Sequence, residues 1–132
     1  MINEYGKFVD STTSSESKYT GDLVMRLTAL QTSHKDIAWS RLMTSAIGML
    51  AESGEFAEIM KKILFQGRSM SSNERYHMKR ELGDVLWYWI QGCIALGYEP
   101  EEVMKENIAK LEKRYPNGFE IIRSEIREEG DI

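Results

Sequence analysis

One cysteine, two prolines and no apolar run of membrane-spanning length set the first limits on this chain of 132 residues. A lone Cys93 excludes a disulfide within the chain and fits a reducing compartment. Its place in an apolar run argues for a buried thiol over a nucleophile. Scarce proline leaves room for long helices. The greasiest stretch, Val85 to Leu96, has twelve residues with Gln91 its one strongly polar side chain. Spanning a bilayer takes about 20 apolar residues, so this run reads as a buried helix. Neither secretion nor export is signalled: MINEYGKFVDSTTSS has no basic segment followed by an apolar core, which predicts a cytoplasmic protein. Basic excess is also lacking. A formal charge of −4 disfavours a binder of nucleic-acid polymers, although lysines, arginines or metal ions could still reverse the field locally for a small anion.

What is present is helical periodicity, with no sustained strand alternation. The length suits one domain over 1–132, and the pattern predicts four helices. The first is irregular, Glu4 to Val9 and then Asp22 to Leu30, with the polar run STTSSESKYTG as a loop between its parts. The second starts near Asp36 as N-cap, passes through Trp39 to Phe65 and stops at Gly67. Ser71 with Glu74 three positions on matches a capping box for the third, which runs to Gly97. Pro100 opens the fourth and Pro116-Asn117-Gly118 ends it, leaving SEIREEGDI as a frayed tail. An all-α, four-helix-type antiparallel bundle follows. Leu82, Val85, Leu86, Trp87, Trp89, Ile90, Ile94 and Leu96 cannot share one stripe of helix three, so the bundle is expected to be completed by a second subunit.

Two acidic pairs interrupt these apolar helices. Glu52 and Glu55 lie three apart on the second, Glu81 and Asp84 three apart on the third, and each pair projects from one face. Packed antiparallel, four carboxylates would meet and repel one another unless cations sat between them. Hard oxygen ligands suit Mg²⁺ or Mn²⁺. Solvated helix acids are the competing reading, and the residues alone leave both open. Glu74 and His77 form an ExxH pair, but a carboxylate-bridged di-iron bundle uses that motif twice. The other histidine, His34, falls in a predicted loop, which demotes His77 to the rim.

The segments AESGEFAEIMKK, ELGDVLWYW and NIAKLEKRYPNGF, in this order, resemble the signatures of the MazG-like nucleoside triphosphate pyrophosphohydrolases. The resemblance covers about 35 to 118, with 119–132 as a C-terminal extension, and NEYGKFVDSTTS is similar to the start of short bacterial and phage members. It implies an all-α homodimer or homotetramer that hydrolyses a nucleoside triphosphate, with dNTPs the expected substrates, to the monophosphate and pyrophosphate. It also implies Mg²⁺ on Glu52, Glu55, Glu81 and Asp84, and a nucleotide held by Tyr88, Asn107, Lys110 and Arg114. For a phage-encoded chain the location would be the host cytoplasm.

The implied chemistry is metal-assisted hydrolysis of a phosphoanhydride, with Lys110 and Arg114 on the phosphate oxygens and one acid, such as Glu55, taking a proton from water. Lys61 and Lys62 suit a phosphate entrance, or complement the dipole of the helix end. Trp39 suits base stacking as well as core packing, and His34 could meet a base edge. A non-catalytic bundle that binds metal or a partner is the rival from another class.

Overall fold

A computed structural model describes residues 1–126. Seven helices follow one another among them: α1 Ile2–Thr12, α2 Ser15–Lys18, α3 Thr20–Ser33, α4 Trp39–Phe65, α5 Ser72–Leu96, α6 Pro100–Arg114 and α7 Ile121–Glu125. The described chain is all-α, as expected, with no strand.

The centre of the fold is the pair α4 and α5. At about 1.5 Å per residue the 27 residues of α4 reach about 40 Å. The two helices run antiparallel: Ala38 N–H donates to Ala95 O at 2.9 Å, Ser45 Oγ donates to Tyr88 O at 2.7 Å, and Glu52 stands by Glu81. Local chemistry sets the ends of α5. Ser71 is the N-cap, its Oγ accepting from Glu74 N–H at 3.3 Å and also hydrogen-bonded to the Glu74 carboxylate. Gly97, at φ +77, closes the helix in the left-handed conformation that favours glycine, while Tyr98 N–H returns to Cys93 O at 3.0 Å.

Three expected boundaries shift. The polar run taken as a loop is partly helical, because the hydroxyls of Ser11, Thr12 and Thr13 turn back onto the carbonyls of Phe8 and Val9 and so belong to the end of α1. Within the same run α2 is tied to α1 by the Lys18 to Asp10 ion pair at 3.4 Å. Helix α4 starts at Trp39 with Ala38 as N-cap, not at Asp36, since the backbone bond from Ala38 to Ala95 sets where α4 meets the end of α5. Finally, Ile121–Glu125 is a short helix within the C-terminal extension, and it takes in Ser124 and Glu125, the first two residues of the tail expected to fray. Most of the tail SEIREEGDI lies outside the described residues.

Small residues form the α4–α5 seam: Ser45, Gly48, Gly92, Cys93 and Ala95 are the buried positions. Large apolar side chains are displaced outward, with Leu50 76% and Trp87 55% exposed. No described helix is long and apolar enough to cross a membrane.

Candidate active site

Antiparallel packing puts the two acidic pairs opposite each other. One carboxylate oxygen each from Glu52, Glu55 and Glu81 lie within 4.8 Å of one another. Asp84 is outside that set of three, yet its charge still acts on Glu52. Glu52 and Glu81 are half-buried, whereas Glu55 and Asp84 are exposed. Glu52 is held above the ordinary carboxylate range, first by loss of hydration and then by the charges of Glu55, Asp84 and Glu81, and a hydrogen bond with Glu81 works in the same direction. Several anionic oxygens at this separation make a donor set suited to a hard divalent cation.

The other expected residues divide. Tyr88, one turn beyond Asp84, is half-buried, its ring against the α4 backbone at Gly48 and edge-on to Trp87 at 4.9 Å between centroids. Asn107 and Lys110 are exposed on α6, and Arg114 is half-buried at its end with its guanidinium 5.9 Å from the Tyr115 ring centre. Lys110 and Arg114 both have interaction partners in the folded chain. Lys62 pairs with Glu58 at 3.2 Å and Lys61 pairs with the same carboxylate, so either must leave it to meet a phosphate. Their proximity holds Glu58 below the ordinary carboxylate range through hydrogen bonds from both lysines.

Trp39 stands apart from the acids. It is thirteen positions before Glu52 on α4, about 20 Å along a helix. Its ring is 6.3 Å from that of His34, and its Nε1 is buried with no hydrogen-bond partner. Trp39, Lys35 and Arg41 share an open hollow of about 450 Å³ with Gln31 and Ile37. Glu74 is occupied by the α5 cap and by Arg68 at 3.6 Å, while His77 lies beside Tyr76. No histidine joins the acidic cluster among the described residues, which leaves the di-iron reading without its ligands.

The sequence reading missed Ser45, Gly48 and Gly92, which set how closely α4 and α5 approach next to the acids. Their small size at helical spacing inside apolar helices was the available signal. Also missed was an apolar groove of about 390 Å³ between α4, α5 and the start of α6, with Met49, Trp89, Cys93 and Val103 in its walls and Glu102 and Glu106 at its edge.

The family model of the MazG nucleotide pyrophosphohydrolase domain matches residues 42–119, more than half of the chain and all four acids. The chain belongs to this family. Membership supports pyrophosphohydrolase activity in general, and the acidic cluster fits the divalent-metal use common in MazG proteins. Among relatives, the Gene 37 protein of Mycobacterium phage L5 is 36% identical over 73 residues, 54% of this chain and 64% of that protein. The chain thus spans less than two thirds of that relative's length. No solved structure matches the chain. The MazG match begins at Leu42, so α1, α2 and α3 precede it.

Proposed function

We propose that this MazG-family chain hydrolyses nucleoside triphosphates, dNTPs foremost, to the monophosphate and pyrophosphate with Mg²⁺, or Mn²⁺ in its place. The observation that carries the reading is the meeting of Glu52, Glu55 and Glu81 within 4.8 Å, with Asp84 close enough to raise the proton affinity of Glu52. These four acids would hold the cation. When bound, it would shield the triphosphate and acidify a coordinated water. Glu55, exposed at the cluster, is the first choice to accept the water's proton. Lys110 and Arg114 would exchange their present partners for phosphate oxygens, Arg114 through its planar fork. Tyr88 and Asn107 would contact the nucleoside and Lys62, released from Glu58, the phosphate chain, whereas Trp39, about 20 Å along α4 from Glu52, is set aside as a base-stacking residue for a triphosphate held on these acids.

A homodimer or homotetramer is part of the proposal. The accessible surface of the chain is 10744 Å². A folded monomer of this mass would show about 7,100 Å². The difference of roughly 3,600 Å² is well above the roughly 800 Å² that a standard interface takes from one partner. Leu50, Leu86, Trp87 and Ile94, all exposed on α4 and α5, are the residues a second copy would cover. The proposed setting is control or cleansing of the nucleotide pool in the cytoplasm, the host's for a phage protein.

The test is a panel of the eight common NTPs and dNTPs, with pyrophosphate and monophosphate both quantified. Equal release of the two products, dependent on Mg²⁺ or Mn²⁺, is expected from at least one dNTP. Absence of turnover across the panel would favour a non-catalytic metal-binding bundle.

A further inference from the structure

Next to the acids, α4 and α5 come closer than ordinary side chains would permit, and one tyrosine lies at each of the contacts that make this possible. Ser45, only 1% exposed, donates its hydroxyl to the backbone carbonyl of Tyr88 at 2.7 Å. The hydroxyl fits because residue 92 is glycine: a Cβ there would lie 2.7 Å from Ser45 Oγ. One turn along α4, Gly48 takes the Tyr88 ring directly against its backbone. A Cβ at Gly48 would overlap the ring and approach its root, Cγ, to 2.5 Å. Rotation of the ring about its own axis cannot clear an obstacle at Cγ, so the side chain or the helix would have to move. Gly48 is four positions before Glu52, and Tyr88 four positions after Asp84. Gly48 is therefore about one helical turn from Glu52 and Tyr88 about one turn from Asp84, while Ser45 and Gly92 brace the same tyrosine about two turns from the nearest acid of their own helices.

We propose that Ser45, Gly48 and Gly92 are positioning residues that set the width of the acidic cluster through Tyr88 and thereby select a small divalent cation. The proposal rests on the metal-site reading above. Mg²⁺ demands oxygens at about 2.0 to 2.1 Å in near-octahedral order, whereas Ca²⁺ accepts about 2.3 to 2.6 Å in looser geometry. An α4–α5 separation held by a hydroxyl-to-carbonyl bond and a ring on bare backbone gives the carboxylates little freedom to spread. Loosening either contact lets them part, which harms the smaller ion more. Supporting partners around metal ligands commonly contribute 10- to 100-fold in affinity.

The test measures binding of Mg²⁺ and Ca²⁺ alone, without nucleotide, by calorimetry on the full chain, with the helical signal and assembly mass checked for each variant. Wild type should bind Mg²⁺, and Glu52→Gln should lose it. Ser45→Ala and Gly48→Ala should each weaken Mg²⁺ by about 10-fold or more while weakening Ca²⁺ less, so that the Mg²⁺ to Ca²⁺ preference falls. A merely structural role would lower both affinities together. In a Tyr88→Ala background, where the ring is gone, Gly48→Ala should cost no further Mg²⁺ affinity, and this arm also covers the case in which Gly48→Ala alone fails to fold. Wild-type selectivity in Ser45→Ala, or an undiminished Gly48→Ala effect without the Tyr88 ring, would overturn the positioning role and leave the metal site intact. If Glu52→Gln bound Mg²⁺ like wild type, the metal-site reading itself would fall, and the positioning role with it.

Discussion

Glu52 shows how a residue of ordinary chemistry is changed by three neighbours. Its carboxyl loses part of its hydration and faces Glu55, Asp84 and Glu81, and all these influences favour the protonated form. Glu74, on the same α5, goes the other way. Hydrogen bonding with Ser71 chiefly, with Arg68 and His77 adding, holds its carboxyl below the ordinary range. Because the folded value is depressed, the stability Glu74 contributes is present above the unfolded value of about 4.3 and is lost as pH falls through the folded one. Ser71→Ala removes both the cap and the main cause of that shift. Its expected cost is about 1 kcal/mol at pH 7, typical of a lost N-cap. Urea unfolding of the two proteins checks this: the gap should narrow as acid protonates Glu74, and a gap that is absent at pH 7 would contradict the assignment.

At the scale of elements, the legible parts were those governed by local chemistry. Ser71, Gly97 and Pro100 mark helix ends, and each lies where its chemistry requires. The spacing of Glu52 with Glu55 and Glu81 with Asp84 gave the acidic faces, and antiparallel packing brings three of the four into one cluster. Illegible parts depended on contacts between elements. The start of α4 is set by Ala95, more than fifty positions away, so Asp36 was the wrong cap despite being a good one. Helix α2 arose in a polar run whose hydroxyls looked like loop chemistry. Neither the register of Ser45 on Tyr88 nor the ring over Gly48 has a signature in one helix alone, since each needs both helices in place.

For the whole molecule, the distribution of apolar side chains is the dominant fact. Small residues fill the seam of the described chain, while Leu50, Leu86 and Trp87 face outward. An assembly that covers them should come apart when they are made polar. Leu50→Glu with Trp87→Glu is expected to shift the mass seen by light scattering from oligomer to monomer; an unchanged mass would place the interface elsewhere. The central claim is that the acids of α4 and α5 together form a site for phosphoanhydride hydrolysis, and it is tested most directly by pyrophosphate release from the best dNTP of the panel. With Mg²⁺ at saturation for wild type, Glu55→Gln and Asp84→Asn, both variants should fall by about 100-fold or more with the helical signal intact, as expected for loss of groups acting on the transition state. Full turnover in both would contradict the account.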